Sequence, residues 1–310
     1  MKVALFGGTG FVGSYLVDAL VSHGHTPRLL VRPGSESKVV QPEASEIVQG
    51  EIADEEAVAK CLHGTDAAIY SIGLLREFPD KGITWEAMHY AGARRAIDLA
   101  SRAGVRRFVL MSANGVKPEG TGYQSTKYRA EQHLAASGLD WTVFRPSIVF
   151  GDPRGREEFC SMLREQMMKP PIPAPLFHEG LWPGDAGRFR MSPVAVEDVA
   201  EAFVRSLECA DSHGRVLPLG GPETLEWREI LRTIAEASGK RKLMVPAPVG
   251  VVKAVAAVFD RFEWFPLTRD QLRMLIEGNA CDGREAWRLF GIEPTRFSVE
   301  ALGYLESPGL

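Results

Sequence analysis

A tyrosine and a lysine four residues apart, Tyr123 and Lys127 in "GYQSTKYRAEQHL", are residues that could move a proton. One helical turn separates them, so a helix would set both on one face. A phenol titrates at about pH 10 in water, too high for an efficient acid–base group at neutral pH, and an adjacent ammonium favours the phenolate and lowers that value. Ser112 closes the apolar run "RRFVLMS" shortly before and could hydrogen-bond a reacting oxygen. Read together, Ser112, Tyr123 and Lys127 form a catalytic set with Tyr123 as acid/base and Lys127 as its tuner. The Tyr/Lys spacing alone is too common to carry that reading, and the surrounding elements must supply the context.

The first element is a glycine loop. "GGTGFVG" places Gly7, Gly10 and Gly13 directly after the apolar run "KVALF" and at the start of the helical pattern "FVGSYLVDALVSHG". In that context the first glycine permits a tight turn, the second lets backbone approach a pyrophosphate and the third allows close helix–strand packing. The free N–H groups of the first helical turn, at Thr9, Phe11 and Val12 around the glycines, face the phosphates. The second strand, "TPRLLVR", ends on Arg32, where an NAD site usually carries an acid for the ribose hydroxyls. A guanidinium there suits the 2′-phosphate of NADP(H), with Ser35 and Lys38 nearby, and NADP(H) is therefore favoured over NAD(H). Glu36 is the nearest acid and keeps an NAD reading open. Further cofactor contacts are expected from Glu51 and Ile52 after the third strand, and from Ser71, Ile72 and Gly73 after the fourth. Lys127 would reach the nicotinamide ribose. Arg145 and Pro146 open "RPSIVFG", the segment expected under the nicotinamide, where a plain structural turn is the alternative.

These residues sit in a regular β-α-β alternation: "KVALF", "TPRLLVR", "ASEIVQG", "DAAIYSIG", "RRFVLMSA" and "DWTVFRPSIVFG" read as strands with helical patterns between them. The alternation predicts an α/β Rossmann fold, a doubly wound parallel sheet with right-handed crossovers. The rhythm breaks after Gly151. "KPPIPAPLFHEGLWPGDAG" (169–187) is rich in Pro and Gly and reads as irregular. "VAVEDVAEAFVRSL" then restores a helix and "GRVLPLGG" a strand. The expected organisation is a nucleotide-binding core over 1–150, completed by about 192–220. A smaller, mostly helical substrate region takes 151–191 and 221–310. Within it His178, Trp182, Arg188 and Arg190 are candidate substrate contacts, each weighed against a structural role.

Composition narrows the classes. The 310 residues are 45% hydrophobic and 25% charged with a formal net charge of −4, so nothing favours nucleic acid as partner. The four cysteines, Cys61, Cys160, Cys209 and Cys281, are scattered, with no metal-ligand spacing, and no metal is expected. Isolated cysteines and a first strand starting at the N-terminus fit a cytoplasmic protein. No run has the length of a spanning helix. The apolar stretch 245–259 reads as a packed helix, with "FEWF" (262–265) after it. A peripheral membrane role or a hydrophobic ligand stays open there, and the oligomeric state is not readable.

The glycine loop, "GVRRFVLMSANGV" and "YQSTKYRAEQHLAASGLDWTVFRPSIVFG" resemble the extended and atypical short-chain dehydrogenase/reductases. Within that superfamily "VAVEDVAEAF", "LPLGGPETLEWREIL" and "LFGIEPTRFSVEALGYL" are similar to the Rossmann-type accessory subunit of respiratory complex I and its free-standing bacterial relatives. The likeness spans nearly the whole chain. It implies an NADP(H)-dependent oxidoreductase acting on a small or hydrophobic carbonyl compound. Two alternatives stay open: a non-catalytic nucleotide-binding accessory or sensor protein of a respiratory or quinone-related complex, and a sugar-nucleotide epimerase or dehydratase. The chain departs from the pattern at His89, where many extended members carry Asn, and at Glu51, where Asp is commoner.

Overall fold

The protein is described from a computed structural model covering residues 1–74, 76–180, 182–250 and 269–306. It divides into two units. The first comprises Met1–Pro146, Val196–Leu219 and Gly283–Glu293. Its strands are β1 (Lys2–Phe6), β2 (Thr26–Val31), β3 (Glu46–Gln49), β4 (Ala67–Tyr70), β5 (Arg107–Met111) and β6 (Asp140–Pro146). Its helices are α1 (Phe11–Ser22), α2 (Glu55–Leu62), α3 (Gly92–Arg102) and α4 (Gly122–Ala135), and a π turn over Glu86–Ala91 runs into α3.

The second unit comprises Ser147–Ala195, Gly220–Asp282 and Pro294–Leu310. In it lie β7 (Val149–Phe150), α5 (Phe159–Leu163), β8 (Ala174–His178), β9 (Arg190–Met191) and β10 (Val194–Ala195). The chain then crosses to the first unit for α6 (Val196–Ser206) and β11 (Arg215–Leu219). It returns for β12 (Leu225–Glu226), α7 (Trp227–Ala237), β13 (Met244–Pro248) and α8 (Arg269–Glu277), and the first unit takes α9 (Arg284–Phe290).

The first unit holds one parallel sheet in the order β11-β6-β5-β4-β1-β2-β3, flanked by helices, a Rossmann fold. Helices cover both faces, so central strands are apolar at every position rather than at alternate ones. Ala67–Tyr70 is buried throughout, as is Val3–Phe6. Strand order reverses between β1 and β4, which opens a crevice outside their carboxyl ends. At the far end of the sheet, buried Arg107 gathers four acceptors: Asp140 O (2.9 Å), Thr142 Oγ1 (2.8 Å), Ser206 O (2.7 Å) and Ser212 Oγ (3.1 Å). It thereby ties β5 to β6 and to the end of α6.

Two features differ from the sequence reading. Within 169–187, Ala174–His178 forms a strand paired in parallel with Met244–Pro248. A two-stranded ribbon is all edge, where the missing N–H of Pro175, Pro246 or Pro248 is tolerated. Gly283–Glu293, expected with the smaller region, joins the Rossmann unit. Phe290 packs on Phe144 (5.7 Å between centroids), and Arg205 donates to the Phe290 and Gly291 carbonyls. The second unit has its own core, in which buried Trp227 stacks with Phe189 (5.3 Å) and Phe177 (6.2 Å). Most of the expected helix 249–259, and "FEWF", fall outside the described residues.

Replacing Arg107 with Met strands several buried acceptors at once. Arg107→Met should lower the free energy of urea unfolding by about 3 kcal/mol without altering dinucleotide affinity. A loss within measurement error would show that the cluster is not structural.

Candidate active site

The glycine loop closes against the crevice by steric necessity. Gly7 has φ +99°, and a Cβ there would lie 2.9 Å from Ser71 Oγ. A Cβ on Gly13 would fall 2.0 Å from the Gly7 carbonyl oxygen, so only glycine lets α1 start this close to β1. Gly10 caps α1 and has no side chain to accept from the first-turn N–H groups, the place where a helix receives an anion. Phe11 and Val12 belong to that first turn, and Thr9 precedes the cap in the glycine turn. Ser71, Ile72 and Gly73 follow β4 on the other side of the switch point. Arg32 directly follows β2, is exposed, and has no ion-pair partner among the described residues. Glu36 accepts from Gln49 Nε2 (2.9 Å). Glu51 is exposed, whereas Ile52 is buried against Gly92.

The catalytic candidates are carried by α4 and the end of β5. A capping box fixes the start of α4: Thr121 Oγ1 accepts from Gln124 N, and Gln124 Oε1 accepts from Thr121 N. Tyr123, Lys127 and Glu131 then follow at one-turn intervals on one face. Lys127 is 5% exposed. Its Nζ donates to the Met111 carbonyl (3.0 Å) and lies 5.7 Å from the Tyr123 ring centroid. Ser112, one residue beyond β5, is buried, and its Oγ has no hydrogen-bond partner. Ser112, Lys127, His89, Tyr70 and Ile72 line one depression. The structure thus brings Ser112 and Lys127 to one place, with Tyr123 at the next turn of the same helix.

Electrostatics depart from the sequence expectation. Burial pushes the Tyr123 phenol above its usual value, and Lys127 does not reverse this, because its ammonium is turned onto the Met111 carbonyl. Lys127 itself is brought down to about 8 by burial, partly offset by the Glu131 carboxylate. Both groups are driven toward their neutral forms, and the phenol keeps its proton. Arg145, expected under the nicotinamide, instead grips buried Glu131 through two bonds, Nε–Oε1 (2.9 Å) and NH2–Oε2 (2.5 Å). Pro146 ends β6, and its carbonyl accepts from Asn114 N (2.9 Å).

Sequence reasoning assigned no role to Glu131, Trp85 or His89. The Tyr123-Lys127-Glu131 spacing is a signal that could have found the first. The other two flank the Tyr123 ring edge-to-face: Trp85 at 6.4 Å and 87°, His89 at 5.1 Å and 88°.

The four substrate candidates lie in the second unit. His178 ends β8, buried, with Nδ1 unpartnered. Trp182 is 85% exposed, Arg188 is exposed, and Arg190 is exposed on β9 opposite Glu226. Among the described residues no cluster of His, Cys, Asp and Glu could hold a metal, and no helix is long and apolar enough to cross a membrane.

Comparison with known proteins agrees with this geometry. A family model described as NAD(P)H-binding matches residues 7–168. The chain is 24% identical to the mitochondrial NADH-ubiquinone oxidoreductase 40 kDa subunit of Neurospora crassa, over 98% of this chain and 78% of that protein. It is 25% identical to the ceramide reductase of Caulobacter vibrioides, over 86% of this chain and 79% of the other. Among solved structures it resembles the Thermus thermophilus UDP-glucose 4-epimerase complex with NAD, with a TM-score of 0.73 and 20% identity over 98% and 97% of the two chains.

The buried lysine gives a direct test. Its folded pKa lies below the unfolded value of about 10.4, so the unfolded chain binds more protons between about pH 8 and pH 10. This group therefore opposes folding most below pH 8, and its penalty fades as pH rises through that window. Lysine Cε resonances should show Lys127 titrating at about 8, and lower still in Glu131→Gln. Titration at the ordinary lysine value would contradict the burial described here.

Proposed function

The chain belongs to the NAD(P)H-binding family, and from that premise we propose that it is an NADP(H)-dependent reductase of a small or hydrophobic carbonyl compound. One observation carries the reading. A protonated phenol, a buried lysine and an unpartnered serine hydroxyl stand at the carboxyl end of the sheet, where Rossmann folds place their ligands.

The residues fit a dinucleotide. The Gly7–Gly13 turn leaves no room for a Cβ and offers uncapped helix N–H groups to a pyrophosphate. Arg32 supports the phosphorylated cofactor: no acid stands at the end of β2, and its guanidinium has no ion-pair partner among the described residues. When bound, the nicotinamide exchanges a hydride with a carbonyl or hydroxyl carbon. The protein's part is then to bind, orient and protonate. Ser112 Oγ–H donates to the carbonyl oxygen. Tyr123 supplies the proton to that oxygen as its charge develops, and burial keeps the phenol loaded beforehand. Lys127, expected to reach the nicotinamide ribose, has Nζ 3.9 Å from where a Gly73 Cβ would lie, beside the segment from which further cofactor contacts are expected. Its positive charge stabilises the phenolate left after transfer.

The likeness to the N. crassa subunit supports a second reading, in which NADP(H) is a structural ligand of an accessory protein. The two separate on turnover. With NADPH and a panel of aldehydes and ketones, Tyr123→Phe should lower the rate of NADPH oxidation by roughly 10²–10⁴-fold and leave NADPH binding within a few-fold. Unchanged turnover in that variant would remove Tyr123 from catalysis. Purified protein that retains unoxidised NADPH in the presence of every carbonyl favours the accessory reading. For the cofactor, Arg32→Ala should weaken NADPH binding by roughly ten- to a hundredfold and leave NADH unaffected, from the loss of one charged hydrogen-bonding partner. Equal weakening of both would contradict the 2′-phosphate assignment.

A further inference from the structure

The Tyr123 hydroxyl accepts no hydrogen bond from the described residues, so the placement of this phenol depends on what touches its ring. Two rings do, Trp85 and His89, both edge-to-face. Each is itself tied to the backbone of the same residue, Leu74. The Leu74 N–H donates to His89 Nε2 (3.0 Å), and Trp85 Nε1–H donates to the Leu74 carbonyl (3.1 Å). Leu74 directly follows Ser71–Gly73, the segment after β4 at the crevice. Trp85 stands immediately before the π turn and His89 within it. A π turn is a rare local widening of a helix that recurs at functional sites.

Three contacts hold that turn in place. Tyr70 Oη–H donates to the Met88 carbonyl (2.5 Å), which gives a partner to a carbonyl of the widened turn. Arg129 on α4 bonds both oxygens of Glu86 (2.7 and 3.1 Å) and lies 3.7 Å over the Tyr90 ring. Glu77 Oε1 accepts from Trp85 N (2.7 Å). Gly122 completes the fit, since a Cβ there would stand 2.8 Å from Trp85 Cε3.

We propose that Trp85 and His89 are positioning residues for Tyr123, a bracket that grips both backbone polar groups of Leu74 and so couples the placement of the Ser71–Leu74 segment to that of the phenol. The bracket fixes its own tautomer: His89 Nε2 accepts from Leu74, so the ring proton resides on Nδ1, a buried atom with no hydrogen-bond partner. Burial, with Lys127 nearby, holds this imidazole down to about 2, so the bracket does not titrate in the working range. Sequence spacing gives Trp85 and His89 as one more i, i+4 pair. The shared residue, Leu74, turns them into a single device.

The consequence for turnover rests on the reading of Tyr123 as proton donor, whereas the bracket itself does not, so the test has separate arms. In protein labelled with 15N-histidine, His89 is expected as the Nδ1–H tautomer, unchanged between about pH 5 and pH 9. An Nε2–H tautomer would overturn the proposal without any variant. Trp85→Phe/His89→Phe keeps two rings beside Tyr123 and removes both bonds to Leu74. With 13C-labelled tyrosine, the Tyr123 ring signals should shift and broaden toward rotamer-averaged values in this variant. Unchanged signals would likewise overturn the proposal. Where NADPH oxidation with a carbonyl is measured, the double variant should lose kcat on the order of tenfold with KM for NADPH nearly unchanged, and His89→Gln, which restores an acceptor for Leu74, should retain part of the rate. Unaltered turnover in Tyr123→Phe sinks the reductase reading and leaves the bracket to the two spectra.

Discussion

Lys127 is a cation placed where water scarcely reaches, and the crevice is organised around that constraint. A buried ammonium costs several kcal/mol unless it is hydrogen-bonded and faces opposite charge. Here the Met111 carbonyl gives the bond and Glu131, one turn further along α4, gives the charge. Glu131 is also buried and is held in turn by both guanidinium bonds from Arg145. The run Lys127–Glu131–Arg145 is thus one electrostatic unit linking α4 to β6. Each member is tolerated because the next is present. The remaining penalty lowers Lys127 to about 8, so it still carries its charge at neutral pH, while burial of Tyr123 keeps that phenol protonated, which is the state a proton donor needs before reaction.

Glycines make the geometry possible by removing the atoms that would prevent it. Gly13 lets α1 begin against the Gly7 carbonyl, Gly92 leaves space for the Tyr70 hydroxyl 2.6 Å from its missing Cβ, and Gly122 admits the Trp85 ring. In each case a functional group occupies the volume a side chain would fill. The parallel sheet then ends all its central strands at one edge, so Gly7, Ser71 and Ser112, far apart in sequence, face one crevice.

Much of this was legible in the sequence because it follows from short-range rules. Period and punctuation mark the alternation from "KVALF" to "DWTVFRP", and glycine spacing at a strand–helix junction marks the dinucleotide loop. The placement of Ser112 at a strand end and of Tyr123 and Lys127 one turn apart on a helix was readable because those spacings are local. What depended on three-dimensional surroundings was not. The direction of the Tyr123 shift needs burial, which spacing does not report. The pairing of β8 with β13 joins two proline-rich segments about seventy residues apart, and neither advertises a strand. Arg145 stands where a cofactor contact was expected, but its partner, Glu131, comes from a neighbouring helix. The role proposed for Trp85 and His89 depends on a π turn and on the backbone of Leu74, neither of which has a sequence signature.

The central claim is that Tyr123 stands, protonated, beside a nicotinamide held by the Gly7–Gly13 turn. A crystal structure of the protein with NADP+ tests it most directly. The account requires the pyrophosphate on the first turn of α1, and the nicotinamide C4 edge facing a space reached by Ser112 Oγ and the Tyr123 hydroxyl. A nicotinamide directed away from Tyr123, or a crevice with no space for a carbonyl beside C4, would contradict it.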